Sequence, residues 1–584
     1  MAKRILVVGG VAGGASFAAR MRRLDEQAEI IMFDKGDYIS FANCGLPYYI
    51  GETIKDRGEL IIQTPQSFKS RFNVDVRIRS EVVAVNTEAK TVTVRHDTRT
   101  YDERYDYLVL APGSRPIRPP LPGIDNPAIL SLRTVGDTDA IKQRVDSQRV
   151  KRAVVIGGGF IGLEMAENLR QRGVEVTIVE LAAQVFAPAD PEMANILHQH
   201  LILNGVKLVL GRGVSAFSEA PAGGVEAVLD NGARLPADLV ILAIGVTPDT
   251  EFLKKSGIGL NPRGAITIDD RMRTTAPDVY AVGDAVEVVD FVSGTRVSVP
   301  LAGPANRQGR IAADNIAGID STYKNTQGTS VCKVFDLTAA TTGLSEKSAR
   351  RYGIEYVKSY THSASHAGYY PGAFPLSMKI LFAPKTGLLL GAQIVGKDGV
   401  DKRIDVLATA LRHRCTVHDL SELELAYAPP YGSAKDAVNI AGSVAGNILD
   451  DRMPVFYVED VASVRPDTQQ LLDVRSRGEH TQGAIANSLL IPVDELRQRL
   501  SELDKSKEIM VYCQIGLRGH LATRILAQNG FAVRNLSGGY KTWQSSQTVD
   551  YDAAYLTSAG RSSATTPDTD IAASERTGVG AAPR

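Results

Sequence analysis

The stretch Ala153-Val-Val-Ile-Gly-Gly-Gly-Phe-Ile-Gly162 decides the fold of this chain. A short β-branched run, typical of a buried parallel strand, leads into glycines with the spacing G-x-G-x-x-G. A helix through Arg172 and a strand at Val176–Val179 are predicted next. Glycines in such a turn let a pyrophosphate approach the helix N-terminus, while a carboxylate after the second strand binds a ribose hydroxyl. The stretch therefore predicts a β-α-β unit that binds a dinucleotide through Gly157, Gly159, Gly162 and Glu180.

The first residues of the chain contain a second copy of this unit. A predicted strand at Arg4–Val8 leads into the loop Gly9-Gly-Val-Ala-Gly-Gly14, and a helix and a strand separate this loop from Asp34. The middle position of the loop is Val11 rather than glycine, so we expect its side chain to point away from the phosphates. Two complete units in one chain are a much stronger signal than one copy. The chain is therefore expected to bind two dinucleotides.

The acid of the later unit bears on the choice of nicotinamide cofactor. Glu180 would accept a hydrogen bond from a free ribose 2′-OH and repel a 2′-phosphate, and Leu181 adds no cation beside it. This favours NADH over NADPH, although Arg212 or another base brought close by folding would change the preference.

Three further stretches lie in the order found in one flavoenzyme family. Thr275–Asp284 predicts a strand followed by a glycine and an acid, and Val109–Gly113 and Leu242–Gly245 predict strands that end in glycine loops. With the two dinucleotide units, they resemble the disulfide reductases in which this acid contacts the ribityl–phosphate part of FAD. The resemblance implies hydride and electron transfer through FAD and NADH (or NADPH). It adds Gly245 to the NADH contacts and assigns to FAD the residues Gly9, Gly13, Gly14, Asp34, Lys35, Ala111, Gly113 and Asp284.

A lone cysteine follows the first unit, in the stretch Ser40-Phe-Ala-Asn-Cys-Gly-Leu-Pro-Tyr48. Free cysteines are often packed as small apolar residues, but a thiol beside a redox cofactor is a candidate for chemistry. The dithiol reductases carry C-x-x-x-x-C, whereas the second position of that motif is Tyr49 here. The oxidised form of Cys44 must therefore be a sulfenic acid or a mixed disulfide with a small thiol.

A change in composition near Asp450–Pro454 marks the start of a compact α/β segment. In it, a strand at Glu508–Tyr512 leads into the loop Cys513-Gln-Ile-Gly-Leu-Arg518 and a predicted helix. Backbone N–H groups and the Arg518 guanidinium would face the sulfur and stabilise an anionic persulfide, and Gly516 would let the loop curl. The segment resembles a rhodanese domain, which implies that Cys513 carries sulfane sulfur.

With this segment included, most of the chain resembles the coenzyme A-disulfide reductases that are fused to a rhodanese domain. The related NADH oxidases and peroxidases carry a histidine in the first glycine loop, where this chain has Val11 and Ala12. The resemblance implies a homodimer that reduces coenzyme A persulfide, polysulfide or coenzyme A disulfide at Cys44, with a Cys44–coenzyme A mixed disulfide as one form. It assigns coenzyme A binding to Arg20, Arg23, Ser40, Asn43, Arg71 (or Lys69) and Asn306, and catalysis in the partner subunit to Tyr369 (or Tyr370) and Tyr427 (or Tyr431).

Two other functions stay open at this point. One is an NADH oxidase or peroxidase that cycles Cys44 through a sulfenic acid. The other is a coenzyme A-linked redox sensor in which the rhodanese-like segment binds a partner. Rapid NADH consumption with oxygen or peroxide alone would favour the oxidase, and negligible turnover with every sulfur acceptor would favour the sensor.

Composition sets the remaining expectations. Lys+Arg and Asp+Glu are both 66, so no net charge recruits nucleic acid or a membrane surface. Four dispersed cysteines fit the reducing cytoplasm, no apolar run is long enough to cross a membrane, and no metal site is expected at His362 and His366. The two dinucleotide units and the resemblance to this family imply an α/β protein with two Rossmann-like domains, an α+β dimerisation domain and an α/β rhodanese domain. The predicted ranges are 1–112 and 246–320 for FAD, 113–245 for NAD(P)H, 321–450 for dimerisation, 451–550 for the rhodanese and 551–584 for a disordered tail.

Overall fold

The computed structural model describes residues 2–220 and 223–547, and the predicted disordered tail lies outside them. Contacts divide the chain into two compact units. The first comprises Met1–Val185 and Gly205–Gly328, and the second comprises Phe186–Asn204 and Thr329–Arg584. The segment Phe186–Asn204 falls within the range predicted for NAD(P)H binding, yet its contacts group it with the second unit. Among the described residues, no helix has the length and apolar character needed to cross a membrane.

The α-helices of the described residues vary from one turn to four turns. In chain order they are α1 (Ala12–Leu24), α2 (Leu46–Ile50), α3 (Pro65–Phe72), α4 (Val135–Asp146), α5 (Phe160–Gln171), α6 (Pro191–Leu203), α7 (Ala302–Ile316), α8 (Glu346–Arg351), α9 (Val400–Arg412), α10 (Val417–Glu422), α11 (Ala437–Leu449), α12 (Arg477–Thr481), α13 (Leu517–Gln528) and α14 (Gly539–Ser546).

The strands of the first unit are β1 (Arg4–Val8), β2 (Glu29–Phe33), β3 (Asp75–Arg77), β4 (Ser80–Asn86), β5 (Thr91–His96), β6 (Arg99–Arg104), β7 (Tyr107–Leu110), β8 (Ser114–Pro116), β9 (Ile129–Leu130), β10 (Arg152–Ile156), β11 (Glu175–Glu180), β12 (Val206–Leu210), β13 (Val214–Glu219), β14 (Val225–Leu229), β15 (Arg234–Ala237), β16 (Leu239–Leu242), β17 (Val246–Pro248), β18 (Ile266–Thr267), β19 (Val279–Ala281), β20 (Val286–Val289) and β21 (Arg296–Val297). Those of the second unit are β22 (Ser330–Val334), β23 (Leu337–Gly343), β24 (Val357–Ala364), β25 (Pro375–Phe382), β26 (Leu389–Gly396), β27 (Val455–Phe456), β28 (Gln469–Asp473), β29 (Leu489–Leu490), β30 (Glu508–Tyr512) and β31 (Val533–Leu536).

In its described residues, the first unit contains two five-stranded parallel sheets and four smaller sheets. One parallel sheet has the strand order β19-β7-β1-β2-β3 and the other the order β12-β11-β10-β16-β9. The central strand of each, β1 and β10, is apolar and almost fully buried, as expected for a strand covered on both faces. Each strand ends at a glycine loop that opens a helix, so the predicted dinucleotide loops both lie at the carboxyl edge of a parallel sheet.

The second unit contains two sheets of different type. An antiparallel sheet with the order β22-β23-β26-β25-β24 precedes a parallel sheet with the order β27-β31-β30-β28-β29. In the sequence, the apolar residues of Val400–Arg412 repeat with helical spacing and predict a helix, and α9 covers this range. The parallel sheet carries the Cys513 loop after β30. The predicted fold class is confirmed.

Candidate active sites

The first glycine of each dinucleotide loop allows a close approach between backbones. Gly9 and Gly157 have φ of +98° and +107°, in the left-handed region. A Cβ at Gly9 would lie 2.1 Å from the Ala111 carbonyl oxygen, and a Cβ at Gly157 would lie 2.3 Å from that of Ala243. A side chain at either position would therefore push the neighbouring strand away.

The last glycine of each loop lets the helix pack against the preceding strand. A Cβ at Gly14 would lie 1.9 Å from the Gly9 oxygen, and a Cβ at Gly162 would lie 1.9 Å from the Gly157 oxygen. The middle position is different, because no atom lies within 4 Å of a Cβ placed at Gly159. This open side is where the backbone would approach the pyrophosphate of a dinucleotide, so the side chain of Val11, at the equivalent position of the first loop, is expected to point away from it.

The acid after the second strand of each unit accepts a hydrogen bond from the glycine loop. Asp34 Oδ2 accepts from the Gly10 N–H at 2.9 Å, and Glu180 Oε2 accepts from the Gly158 N–H at 2.6 Å. Burial raises the pKa of Asp34, and hydrogen bonds from the backbone N–H groups of Gly10 and Gly36 oppose that rise. Each carboxylate thus lies beside the glycines, where a dinucleotide would present its ribose, so the residues of both loops fit such a cofactor.

The other predicted flavin positions meet near Asp284. Its Oδ2 accepts from Ser114 Oγ at 3.0 Å and lies 3.7 Å from Arg133 Nη2. Ala111 and Gly113, which has φ of +70°, lie in the segment between β7 and β8. Gly245 lies between β16 and β17, and this second glycine segment lies alongside the first because β17 pairs with β8. Lys35, predicted to contact FAD, forms an ion pair with Asp249 at 2.5 Å.

Cys44 lies in a short turn between two anchored segments. Ala42 N–H donates to the Leu60 carbonyl at 2.8 Å, and Gly45 N–H donates to the Ala42 carbonyl at 2.9 Å. Helix α2 begins directly after the turn, with Pro47 in its first turn. The backbone therefore fixes the position of a cysteine that is itself exposed.

Partial burial and nearby charges change the pKa of the Cys44 thiol. Protein atoms around the sulfur remove part of its water, and this partial burial raises the pKa of Cys44. The charges of Glu164 and Asp284 raise it further, and Arg133 lowers it. Burial also raises the pKa of Glu164 to about 7, assisted by Glu167. Sequence reasoning missed Glu164, although it follows the second glycine loop by two residues and could have been noted as an acid in a buried helix turn.

The residues predicted to bind coenzyme A lie on α1, α3, α7 and the Cys44 segment. Asn306 Oδ1 accepts from Ser16 Oγ at 2.8 Å, which joins α7 to the face of α1 that carries Arg20. Arg20 forms an ion pair with the buried Asp314, with Nε to Oδ1 at 2.8 Å, so a phosphate would have to compete with this carboxylate. Of the others, Ser40 and Asn43 flank Cys44 and are partly buried, and Arg23 and Arg71 are exposed.

The two predicted tyrosines of the second unit form a pair. The hydroxyl oxygens of Tyr369 and Tyr427 lie 2.7 Å apart, and this hydrogen bond raises the pKa of Tyr369. The two residues are 75% and 48% exposed, which leaves the hydroxyl pair accessible. Tyr370 and Tyr431, the alternatives at these positions, are also exposed.

The Cys513 loop curls around its sulfur. Gly516, with φ of +109°, turns its N–H toward Cys513 Sγ at 3.1 Å. Arg518 lies beside this sulfur, and hydrogen bonds with Glu479 and Cys513 raise its pKa. Its guanidinium forms a two-pronged pair with Glu479 at 2.7 and 2.6 Å. Hydrogen bonds from Arg518 hold the pKa of Glu479 at about 2, so this pair stays ionised.

A second arginine supports the loop and was missed as a site residue. Arg475 is 1% exposed, pairs with the buried Asp473 at 2.9 Å and donates to Gln514 Oε1 at 3.1 Å. Its guanidinium lies 4.0 Å from the centroid of the Tyr540 ring. The sequence signal was an acid and a base, Asp473-Val-Arg475, after the apolar pair Leu471-Leu472. In the structure they lie at the end of β28, which pairs with β30.

Three buried carboxylates form the one group in the described part of the chain with a spacing suited to a metal ion: Asp190, Glu192 and Glu346. The Lys379 ammonium lies among them, with Nζ–O distances of 2.8, 2.5 and 2.5 Å. A cation from the chain itself therefore already lies among these carboxylates.

Comparison with known proteins matches each part of the chain. Residues 3–309 match the model of pyridine nucleotide-disulphide oxidoreductases, 329–438 their dimerisation domain and 459–546 a rhodanese-like domain. A coenzyme A disulfide reductase of Staphylococcus haemolyticus is 35% identical over 76% of this chain and 100% of its own length. The reduced CoADR-RHD of Bacillus anthracis is 50% identical with a TM-score of 0.91, over 94% of this chain and 98% of that one. An NAD-dependent persulfide reductase from A. fulgidus is 36% identical with a TM-score of 0.87, over 92% and 100%.

Proposed function

The chain belongs to the pyridine nucleotide-disulphide oxidoreductase family, and from this premise we propose that it reduces coenzyme A persulfide and coenzyme A disulfide with electrons from NADH. Cys44 is the proposed redox thiol, and Cys513 is the proposed carrier of sulfane sulfur. The observation that carries the proposal is the combination of an exposed lone thiol at Cys44 with a second thiol enclosed by a rhodanese-type loop. The relatives named coenzyme A disulfide reductase and persulfide reductase support this choice of substrates.

The proposed chemistry at Cys44 is a thiol–disulfide exchange followed by reduction. FAD, held by the glycine loop and Asp34, would carry two electrons from NADH to sulfur. The Cys44 thiolate attacks the coenzyme A-bonded sulfur of CoA–S–SH, so the Cys44–S–S–CoA bond forms and HS⁻ leaves. Two electrons and one proton then break this bond and return the Cys44 thiolate and CoA–SH. Coenzyme A disulfide enters in the same way, with CoA–S⁻ as the first leaving group.

Groups around the thiol would assist these steps. The paired hydroxyls of Tyr369 and Tyr427 would donate to the departing sulfur from the partner subunit of a homodimer, a role supported by their exposure and mutual hydrogen bond. Arg23, Arg71 and Asn306 would bind the phosphates of coenzyme A. Cys513 would take sulfane sulfur from polysulfide and pass it to the coenzyme A thiol as CoA–S–SH.

The test is anaerobic NADH oxidation with coenzyme A disulfide, coenzyme A persulfide, polysulfide and elemental sulfur in parallel, with sulfide measured. Cys44→Ser is expected to abolish turnover with every acceptor while leaving the flavin absorption spectrum intact. Cys513→Ser is expected to spare coenzyme A persulfide and to weaken the use of polysulfide and elemental sulfur. Cys415→Ser, a cysteine outside both proposed sites, is the matched control and should behave as wild type.

Three outcomes would contradict the proposal. Turnover that survives in Cys44→Ser would remove Cys44 from the chemistry. Equal losses on coenzyme A persulfide and polysulfide in Cys513→Ser would remove the sulfur relay. NADH oxidation driven by oxygen or peroxide alone at the rate of the sulfur acceptors would favour an oxidase instead, as would fit the 28% identity to a water-forming NADH oxidase from Lactobacillus brevis.

A further inference from the structure

Within the second unit, strand β24 of the antiparallel sheet is joined to the rhodanese-like domain by specific hydrogen bonds. The Tyr457 hydroxyl donates to the Lys358 carbonyl at 2.9 Å, and Lys358 Nζ donates to Glu459 at 2.6 Å. The Tyr360 N–H reaches Ser537 Oγ at 3.3 Å. Tyr360 and Ser537 are each 3% exposed, so these contacts form a buried polar interface between the two sheets' domains.

The interface continues into the turn that holds the Cys513 loop. Gly538 and Gly539 follow Ser537, with φ of +74° and +64°. A Cβ at Gly538 would lie 2.7 Å from Tyr360 Cβ, and a Cβ at Gly539 would lie 2.4 Å from the Cys513 carbonyl oxygen. The two glycines are therefore in close contact with β24 on one side and with the backbone of the reactive loop on the other.

Helix α14 begins at this turn and fixes the loop by its first N–H groups. The Tyr540 N–H donates to the Cys513 carbonyl at 2.8 Å, and the Lys541 N–H donates to the Gln514 carbonyl at 3.0 Å. These two donors are among the N–H groups that a helix leaves unpaired in its first turn. The position of the α14 N-terminus thus determines where the Cys513 backbone lies.

His362 of β24 is hydrogen-bonded to a residue of α14. Its Nε2 shares a hydrogen bond with Thr542 Oγ1 at 2.8 Å, and its Nδ1 shares one with Ser377 Oγ of β25 at 3.0 Å. Thr542 is 2% exposed. Burial, and then the charge of Lys541, lower the pKa of His362 to about 3, so the imidazole is neutral at working pH and its hydrogen bonds do not titrate there.

We propose that His362 and Thr542 are positioning residues for sulfur transfer at Cys513, so that the antiparallel sheet helps to hold the rhodanese-type site in place. A series of contacts leads from β25 through His362 and Thr542 to the N-terminus of α14 and the Cys513 carbonyl. It rests on the proposed function only in naming sulfur transfer as the reaction.

The test compares Thr542→Val with Thr542→Ser in the full chain. Valine keeps the volume of threonine and removes the hydroxyl, whereas serine keeps the hydroxyl and removes a methyl group. Thr523→Val is the matched control, because the Thr523 hydroxyl is buried but donates within its own helix, to Gly519. Two readouts are used: transfer of sulfane sulfur from polysulfide to cyanide, with kcat and KM separated, and the alkylation rate of Cys513 by iodoacetamide.

Thr542→Val is expected to lower kcat about tenfold with little change in the donor KM, because small displacements of a reacting group are costly. Thr542→Ser should stay within about threefold of wild type, and Thr523→Val should do the same. Wild-type behaviour of Thr542→Val, or a serine variant as impaired as valine, would overturn the proposal. If wild type transfers no sulfur, the function proposed for Cys513 fails, while unequal Cys513 alkylation in the valine and serine variants still decides the positioning role.

Discussion

Replacing Lys379 by methionine tests the buried charge cluster of the second unit. Lys379 is 0% exposed and contacts Asp190, Glu192 and Glu346, which come from the start of α6 and from α8. Burial opposes the charged form of Lys379, but the three carboxylates outweigh it and raise its pKa. Methionine has a similar length, so Lys379→Met removes the ammonium and leaves three buried carboxylates facing one another.

The expected loss of stability can be bounded in two ways. Removing one partner from a buried ion pair generally costs about 3–5 kcal/mol, because the remaining charge is left without its partner. Burial alone would raise the pKa of Glu346, but Lys379 and then Lys358 lower it from 4.5 to about 2. That difference corresponds to roughly 3 kcal/mol, at about 1.36 kcal/mol for each pH unit. Part of it persists in the variant because Lys358 still lies 3.1 Å from Glu346.

The sign of the pH dependence follows from Glu346. Its pKa is lower in the folded than in the unfolded protein, so its stabilisation is complete above about pH 5 and is lost as the pH falls toward 2. The difference in free energy of unfolding between wild type and Lys379→Met should therefore be largest at neutral pH. It should be clearly smaller at pH 3, where the carboxylates of the variant can protonate.

Trp543, the single tryptophan of the chain, lies in α14 of the same unit and reports its unfolding by fluorescence. The assay is urea unfolding at pH 7 and pH 3. The control is Lys385→Met, which changes an exposed lysine between β25 and β26. Its free energy of unfolding should stay within about 0.5 kcal/mol of wild type. The reasoning would be refuted if the free energy of unfolding of Lys379→Met lay within about 1 kcal/mol of wild type at pH 7. It would also be refuted if the difference between the two proteins were not smaller at pH 3.

Three further predictions concern the first unit. Glu164→Gln should lower the pKa of Cys44, because it removes a carboxylate that raises it; the pH dependence of Cys44 alkylation measures this, and an unchanged or higher value would contradict it. Gly14→Ala should abolish flavin retention and Gly162→Ala should raise the KM for NADH at least tenfold, because each Cβ would meet a backbone oxygen at 1.9 Å; flavin absorbance and steady-state kinetics decide both. Glu180→Ala should shift the ratio of kcat/KM for NADH over NADPH at least tenfold toward NADPH, and an unchanged ratio would show that this acid does not select the cofactor.

Features fixed by nearby residues were predictable from the sequence. Strand β1 and helix α9 have the predicted bounds. A short apolar run indicates a strand, and an amphipathic repeat indicates a helix, without reference to distant residues. The glycine loops were equally predictable, because the close backbone contacts of Gly9 and Gly14 lie in or next to the loop itself and follow from its spacing. The fold class followed from the order of these elements.

Contacts between distant segments were not predictable in the same way. Lys379 lies in β25, and no residue near it in the sequence indicates that the start of α6 and α8 supply its carboxylates. The approach of Glu164 to Cys44 and the pairing of Arg518 with Glu479 likewise depend on tertiary packing. A single sequence contains the partners but not their pairing, because the chain brings them together only after the sheets have formed.

The two sulfur sites differ in what holds them, and this difference predicts how each responds to mutation. Cys44 is positioned by a turn whose hydrogen bonds stay within its own neighbourhood, at Ala42 and Leu60. The Cys513 loop is positioned by α14, which depends on His362 of another domain. A change that removes the hydrogen bond between His362 and Thr542 should therefore impair sulfur transfer at Cys513 while sparing reduction at Cys44 in the same chain. If both reactions fell together in such a variant, the loss would lie in the stability of the unit rather than in the geometry of the Cys513 loop.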